Sequence, residues 1–522
     1  MGDYTMNSEI IAIGMLLAVV GFVIGRLPAV EGINHSDAFK KRRVMNWLPL
    51  GLTYAFLYMG RYNLKVSKFA FEEMTDPSGG ALMGNDDFGF IFTVGVWVYG
   101  SAFLLNGPLA DRFGGRKAIL TGAAGAAVAN LLMGLATWNL VSEGPLATFV
   151  AENFVEVFAG LYGINMYFQS FGAIAVVKCN APWFHVRERG VFGAIFGILI
   201  SLGIYFAFDW GYAIVNGFSA GPDALLVNGD TDIGMGAIAV FLVPAVLLCI
   251  FWVADFLLVQ NSPGEAGVED FDTADASSGD DGPQLPPLEV FKKMMSNPVI
   301  ITIACIEFCS GFIRQAPMQW YRTFAKQTDI SLHLKGDFIY DHWGMFLCIA
   351  GIMGGVIAGI ISDRIFQSRR GPVAAILYGG VVVFSIALYF TLDMPVMQIS
   401  DSVTLSPAGI VCILASMCVI GVHGMLSGTA SMDFGGKKNV GIAVGIIDGF
   451  VYLGTGVMSL TYGMVLPKED FTADGALTGP VTDPTNWTAW PISMVAIGIL
   501  GLMLSTRVWN AKPTKAKDKQ SA

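Results

Sequence analysis

Charge is what this chain has least of. Only 14% of its 522 residues are Asp, Glu, Lys or Arg, while 54% are hydrophobic, against about 25% charged in an ordinary soluble domain. With a mean hydropathy of +0.59, the composition is that of a polytopic membrane protein, because a soluble core of this length needs far less apolar surface. Cysteine is sparse as well: Cys179, Cys249, Cys305, Cys309, Cys348, Cys412 and Cys418 are odd in number and fall inside or at the edge of apolar runs. That excludes a disulfide framework and leaves them as packing residues. No glycine-rich phosphate loop, zinc-ligand spacing or nucleophile elbow occurs, so neither an enzyme nor a cofactor or metal site is expected. Short strands of alternating polarity are missing too, which excludes a membrane barrel. The net charge of −10 points to no nucleic acid, since the acidic residues sit mostly in loops.

What is present is a series of thirteen apolar runs, near Ile10–Val30, Val44–Leu64, Phe88–Leu109, Ala118–Trp138, Leu146–Val177, Gly190–Phe208, Ile233–Val259, Val299–Trp320, Trp343–Ile361, Val373–Leu392, Ala408–Met432, Gly441–Leu466 and Trp487–Val508. Each is long enough to cross about 30 Å of hydrocarbon as a helix, so an all-α, multi-pass membrane protein is expected. The basic segments "FKKRR", "DRFGGRK", "RERG", "DRIFQSRR" and "GGKK" alternate with connectors poor in Lys and Arg, and the loop from Asp209 to Asp232 carries four aspartates and no basic residue. By the positive-inside rule the basic loops face the cytoplasm. A cell inner-membrane location follows, with the N-terminus outside and the C-terminus cytoplasmic. The first run is read as a retained extra helix rather than a signal segment, because its start (Asp3, Glu9) is acidic and no clear small-residue cleavage site follows it.

The sequence divides into an extra helix and basic connector (1–43), a six-helix bundle (44–259), an acidic flexible linker (260–297), a second six-helix bundle (298–508) and a tail (509–522). The two bundles look duplicated. Arg61 and Arg314 are 253 residues apart, Asp111 and Asp363 252, and Gly190 and Gly441, read as opening the fifth and eleventh helices, 251. Drift of one residue per landmark is what loop variation leaves in a duplicated half.

"GPLADRFGGRK" (Gly107 to Lys117) and its echo "GIISDRIF" (Gly359 to Phe366) resemble the signature loop of the major facilitator superfamily, placing Asp111, Arg112, Arg116, Asp363 and Arg364 in signature loops. Further patches, "YAFLYMGRYN", "YFQSFG", "WFHVRERG" and "GGKKNVGIAVGIIDGFVYLG", are similar to the organophosphate:phosphate antiporters, with the match running from Trp47 to Arg507. The resemblance implies two bundles related by a pseudo-two-fold axis, with one arginine from the first helix of each meeting at the midplane to bind phosphate. Those positions fall on Arg61 and Arg314. It also places Tyr99, Tyr167, Gln169 and Tyr452 along the cavity.

The residue types suit that role. Arginine's planar fork stays charged and offers paired hydrogen bonds to phosphate oxygens, and keeping one at membrane depth costs about 2.5–3.5 kcal/mol. Snorkelling is the competing reading: Arg61 ends a run of about 17 apolar residues, and Lys65 and Lys68 follow it, which would put all three at a surface. Tyr54 and Tyr58 lie seven and three residues before Arg61 and share its helical face. Lys178 and His423 are further substrate-binding candidates, the histidine also as a proton exchanger. Glu307 and Asp448 are candidates for coupling or ion pairing, and Arg187, Glu188, Arg189, Lys437 and Lys438 for a cytoplasmic gate. The chain departs from the glycerol-phosphate carriers at Phe103 and Pro182, where they place a lysine and a histidine.

The expected function is alternating-access transport of an organic phosphate ester, exchanged for inorganic phosphate. The rivals are a proton-coupled carrier of another organic anion, such as a carboxylate, and a transporter-like sensor that signals to a partner.

Overall fold

A computed structural model describes residues 35–74, 80–185, 189–219, 234–271, 273, 286–366, 370–400, 403–427, 431–472 and 477–510. Twelve long helices correspond to twelve of the thirteen expected spans. They are α1 (Asp37–Phe71), α2 (Asn85–Phe113), α3 (Gly115–Val141), α4 (Phe154–Asn180), α5 (Arg189–Tyr205), α6 (Gly234–Leu258), α7 (Pro298–Gln327), α8 (Trp343–Ile360), α9 (Arg370–Thr391), α10 (Pro407–Met425), α11 (Ser431–Val465) and α12 (Ala489–Arg507). The first expected span, Ile10 to Val30, lies outside the described residues. Two short antiparallel hairpins, one pairing Met397–Ser400 with Val403–Leu405 and the other Asp470–Phe471 with Leu477–Thr478, are the only sheet among the described residues.

Ten of these helices are long and apolar enough, among the described residues, to cross a membrane by composition alone. α1 and α4 are not among them. The same two helices carry Arg61, Lys65 and Lys68, and Asn165, Gln169 and Ser170, all buried inside the protein. Polar groups that would be costly against lipid are instead turned into the bundle, where they find partners.

Four boundaries differ from the sequence expectation. α1 starts at Asp37, with the Ser36 side chain accepting from the Phe39 backbone N–H as an N-cap. "FKKRR" is therefore helical rather than a connector. Its Arg42 and Arg43 donate to the Leu258 and Trp183 carbonyls at 2.8 and 3.3 Å, where helix ends leave acceptors open. α5 runs through one π-turn (Phe206–Trp210) into Gly211–Ser219, so the expected acidic loop is helical as far as Ser219. α11 starts at Ser431 and takes "GGKK" into its first turns. The linker ends in a helix, Pro287–Met295, whose Val290 and Met294 pack against Ile300, Ala304, Ile442 and Ile446.

The duplication is visible in the packing. In the first half α1 packs on α5 and α6, α2 on α4, and α3 on α4 and α6. Adding six to each number gives the pairs of the second half: α7 on α11 and α12, α8 on α10, and α9 on α10 and α12. Between the halves, α2 runs along α11 and α5 along α8. The α2–α11 contact is close because glycines face each other: a Cβ on Gly89 would sit 2.9 Å from the Gly463 Cα.

The end of the bundle opposite the signature loops, called the far end below, is closed by a buried polar network across the halves. Lys68 lies 3.1 Å from Glu469 and 3.6 Å from Glu72, and Lys326 lies 3.4 Å from Glu72 and 3.1 Å from Glu73. Gln327 donates to Glu72 and Glu469 at 2.9 and 2.8 Å and accepts from Asn85. Burial alone would raise the Glu72 carboxyl, but the Lys68 and Lys326 ammoniums outweigh it and bring it down to about 2.

Candidate functional site

Arg61 sits inside α1, ten residues before that helix ends at Phe71, and is only 1% exposed, as is Lys65. Lys68 is fully buried. None of the three reaches a surface, which removes the snorkelling alternative. The Arg61 guanidinium is held on every nitrogen: Nε donates to Gln169 Oε1 at 3.1 Å, Nη2 to the Tyr99 hydroxyl at 2.8 Å, and Nη1 to the Tyr452 hydroxyl at 3.2 Å. The Tyr58 and Tyr99 rings lie 4.5 and 4.4 Å from its carbon centre, close enough for cation–π attraction. All these partners are neutral. The positive charge is solvated but not cancelled.

A second layer fixes this frame. Gln169 donates to Asn165, which donates to the Gly60 carbonyl and accepts from Asn130. Asn130 in turn accepts from Asn63, and the Tyr162 hydroxyl donates to the Arg61 carbonyl at 2.9 Å. The Gly60 and Arg61 carbonyls are thus tied to α4, and the Asn63 side chain to α3. Sequence reasoning missed Tyr162, Asn165, Asn130 and Asn63. The signal available was polar residues recurring at helical spacing in α4, where Tyr162, Asn165 and Gln169 share a face.

Arg314 lies midway along α7, 8% exposed. Its guanidinium has no hydrogen-bond acceptor among the described residues, and its Nε is buried without one. The two arginines are close neighbours of the same groups: Tyr58 and Tyr452 lie within electrostatic reach of both. The Tyr62 hydroxyl, next to Arg61 in the chain, accepts from Gln315, next to Arg314, at 2.9 Å. Two guanidiniums that form no ion pair among the described residues therefore share one buried interior, one from each half, with the Glu307 and Asp448 carboxyls within electrostatic reach of Arg314. Such an arrangement is stabilised by an anion that takes hydrogen bonds from both.

The remaining expected residues divide. Tyr54 packs edge-on against Tyr58 with ring centroids 5.4 Å apart, and Phe103, at the place of a lysine in the resemblance, stacks on Tyr452 at 5.9 Å and meets Tyr99 edge-on at 4.8 Å. Tyr167 is half-buried against Phe168 and Phe171 and makes no contact with Arg61 among the described residues. Lys178 is in the last turn of α4, about 13 Å along the axis from Gln169, and Pro182 is in the short turn beyond it. Neither joins Arg61. His423 Nδ1 lies 2.7 Å from Glu307 Oε2, and the other Glu307 oxygen is buried without a hydrogen-bond partner among the described residues. Asp448 accepts from Ser427.

In the signature loop, Gly114 has φ +88°, a left-handed conformation that favours glycine, and a Cβ there would lie 2.9 Å from the Asn261 Oδ1. Arg116 donates from Nη2 to the Phe256 carbonyl at 2.5 Å, and its backbone N–H to Asn261, so it ties α3 to the end of α6. Arg112 is exposed. The side chains of Asp111, Asp363, Arg364, Arg189, Lys437 and Lys438, and residues Arg187 and Glu188 entirely, lie outside the described residues.

Comparison with known proteins adds three findings. Residues 50–459 match the family model of the Major Facilitator Superfamily. The chain is 24% identical to a Bacillus subtilis glycerol-3-phosphate transporter over 92% of this chain and 96% of that one. It is 23% identical to a membrane sensor protein, UhpC, of Salmonella typhimurium over 84% and 89%. In fold it is similar to the xylose transporter XylE of E. coli in a partially occluded inward-open conformation, with a TM-score of 0.58, 14% identity and coverage of 90% of this chain and all of that one.

Proposed function

This chain belongs to the Major Facilitator Superfamily, and on that premise we propose that it carries an organic phosphate ester across the membrane in exchange for inorganic phosphate, with Arg61 and Arg314 as the anion-binding pair. The observation that carries the reading is that neither guanidinium forms an ion pair among the described residues. Arg61 is bonded only to an amide and two phenols, and Arg314 keeps a buried N–H without an acceptor. A phosphate monoester brings up to two negative charges and enough oxygens for two forks. In the empty state the two guanidiniums repel, which disfavours bringing the halves together. A bound phosphate removes that repulsion, so the site changes sides loaded, and exchange follows. The similarity to a glycerol-3-phosphate transporter supports the substrate class. The basic loops support a cytoplasmic placing of the signature-loop end.

The test is counterflow in proteoliposomes loaded with inorganic phosphate. Uptake of a labelled phosphate ester that depends on internal phosphate is expected, and no uptake from any of a panel of glycerol, sugar and carboxylate phosphates refutes the reading.

One observation favours a second reading. The Glu307–His423 pair, on the same half as Arg314, is suited to binding and releasing a proton, which would make the protein a proton-coupled carrier of an organic anion. Uptake driven by an imposed pH gradient without internal phosphate distinguishes it. The similarity to a membrane sensor raises a sensing role, and robust flux through the purified chain excludes sensing as the sole function.

A further inference from the structure

Beyond the central pair, cations continue along both α1 and α7 toward the far end. On α1, Arg61, Lys65 and Lys68 are spaced by four and three residues, so they share one face over about 10 Å. On α7, Arg322 and Lys326 follow Arg314 by eight and twelve residues, about 12 and 18 Å along the axis. The outermost members, Lys68 and Lys326, are neutralised by Glu72, Glu73 and Glu469. The middle members form no ion pair among the described residues; the carboxylates within electrostatic reach are Glu72 and Glu469 for Lys65 and Asp209 and Asp341 for Arg322.

Lys65 donates to the Thr323 hydroxyl at 2.5 Å, and its ammonium lies 4.5 Å from the Phe88 ring and 5.3 Å from that of Trp320. Arg322 is clasped between Tyr212 and Tyr340, 3.4 and 4.1 Å from their ring centres, with Nε and Nη1 buried and without acceptors among the described residues. They are 1% and 7% exposed, and neither forms an ion pair among the described residues. A role as a mere latch does not need charge: a methionine at either place would pack on the same rings without the desolvation cost. Buried cations with spare N–H groups are instead suited to taking hydrogen-bonding oxygens of an anion. Their present partners also cross the boundary between the halves. Lys65 of the first half is held by Thr323 and Trp320 of the second, and Arg322 of the second by Tyr212 of the first. When the halves part at this end, both cations lose those partners together.

We propose that Lys65 and Arg322 form a second anion-binding site, which receives the phosphate group of the cargo when the far end opens and passes it inward to Arg61 and Arg314. The proposal rests on the reading that the cargo bears a phosphate. Its consequence is asymmetric: affinity at the far face depends on these two residues, and affinity at the signature-loop face does not.

The experiment is phosphate:phosphate exchange by purified protein in proteoliposomes, with half-saturation for inorganic phosphate measured separately on each face. Lys65→Met and Arg322→Gln are each expected to raise half-saturation at the far face by about 10-fold. The other face should stay within about 2-fold, and the saturated rate should be retained. An equal rise on both faces, or no rise on either, overturns the second site while phosphate exchange itself stands. Absence of exchange by the unaltered protein overturns the phosphate reading and this site with it. A second measurement does not depend on those variants folding. In an Arg314→Gln chain, which disables the central pair, inorganic phosphate added at the far face is expected to protect Lys65 from an impermeant amine-reactive ester, read by peptide mass spectrometry. Modification indifferent to phosphate overturns the proposal.

Discussion

Arg61 and Arg314 hold matching places in the two duplicated halves, yet their surroundings are opposite. Arg61 is bonded on all three nitrogens and backed by a chain of asparagines, whereas Arg314 has no hydrogen-bond acceptor among the described residues. Duplication kept the charge and let the shell diverge. The physical result is one arginine fixed in advance and one without fixed hydrogen bonds among the described residues. On the proposed reading, Arg61 supplies geometry at low entropic cost, and Arg314 supplies the attraction that depends on what is bound.

The most forceful way to break this comparison is to remove either fork. Arg61→Gln and Arg314→Gln are each expected to lower phosphate-ester exchange by about 100-fold or more, since each loses two charge-assisted hydrogen bonds. Lysine substitutions sharpen it. Arg61→Lys leaves Gln169, Tyr99 and Tyr452 competing for a single ammonium and should again cost about 100-fold, while Arg314→Lys, with no fixed partners to lose, should cost about 10-fold. Equal losses in half-saturation and rate for the two lysine variants would show that the asymmetry has no functional content.

At the far end, Glu72→Gln is expected to shift the equilibrium toward the open state by about 10-fold, read as faster labelling of a cysteine placed at Thr323. The Glu72 carboxyl is held at about 2, below its ordinary 4.5. Its contribution to closure is therefore complete above about pH 4.5 and is lost as pH falls through about 2. Labelling of the parent should not change between about pH 5 and 8.

Tyr452→Phe deletes the one bond that reaches Arg61 from the opposite half and should raise half-saturation by about 5-fold with the rate retained. The smallest effect is expected at Glu307→Gln. Phosphate counterflow should change by less than about 3-fold, whereas loss of uptake driven by a pH gradient would favour the proton-coupled reading.

The helical bundle was legible because its signal is local: an apolar run long enough for the bilayer declares itself without reference to the rest of the chain. Boundaries were legible only to the extent that polarity marks them. Lys437 and Lys438 look like loop residues and lie in α11, because a helix continues past the membrane wherever its carbonyls find partners. Of the residues expected around the pair, Tyr58, Tyr99, Gln169 and Tyr452 surround Arg61, and Tyr167 and Lys178 do not. Tyrosine in a membrane helix packs as readily as it bonds, and only the direction in which each helix turns separates the two.

By itself the sequence determined the spans, the duplication and the two arginines, since run length, offset and residue type are properties of the chain read in one dimension. Only the tertiary structure decided what meets them. The acceptors of Arg61 lie 38, 108 and 391 residues away, and a side-chain hydrogen bond reaches about 3 Å, so which groups fall within that reach depends on how α1, α2, α4 and α11 pack together.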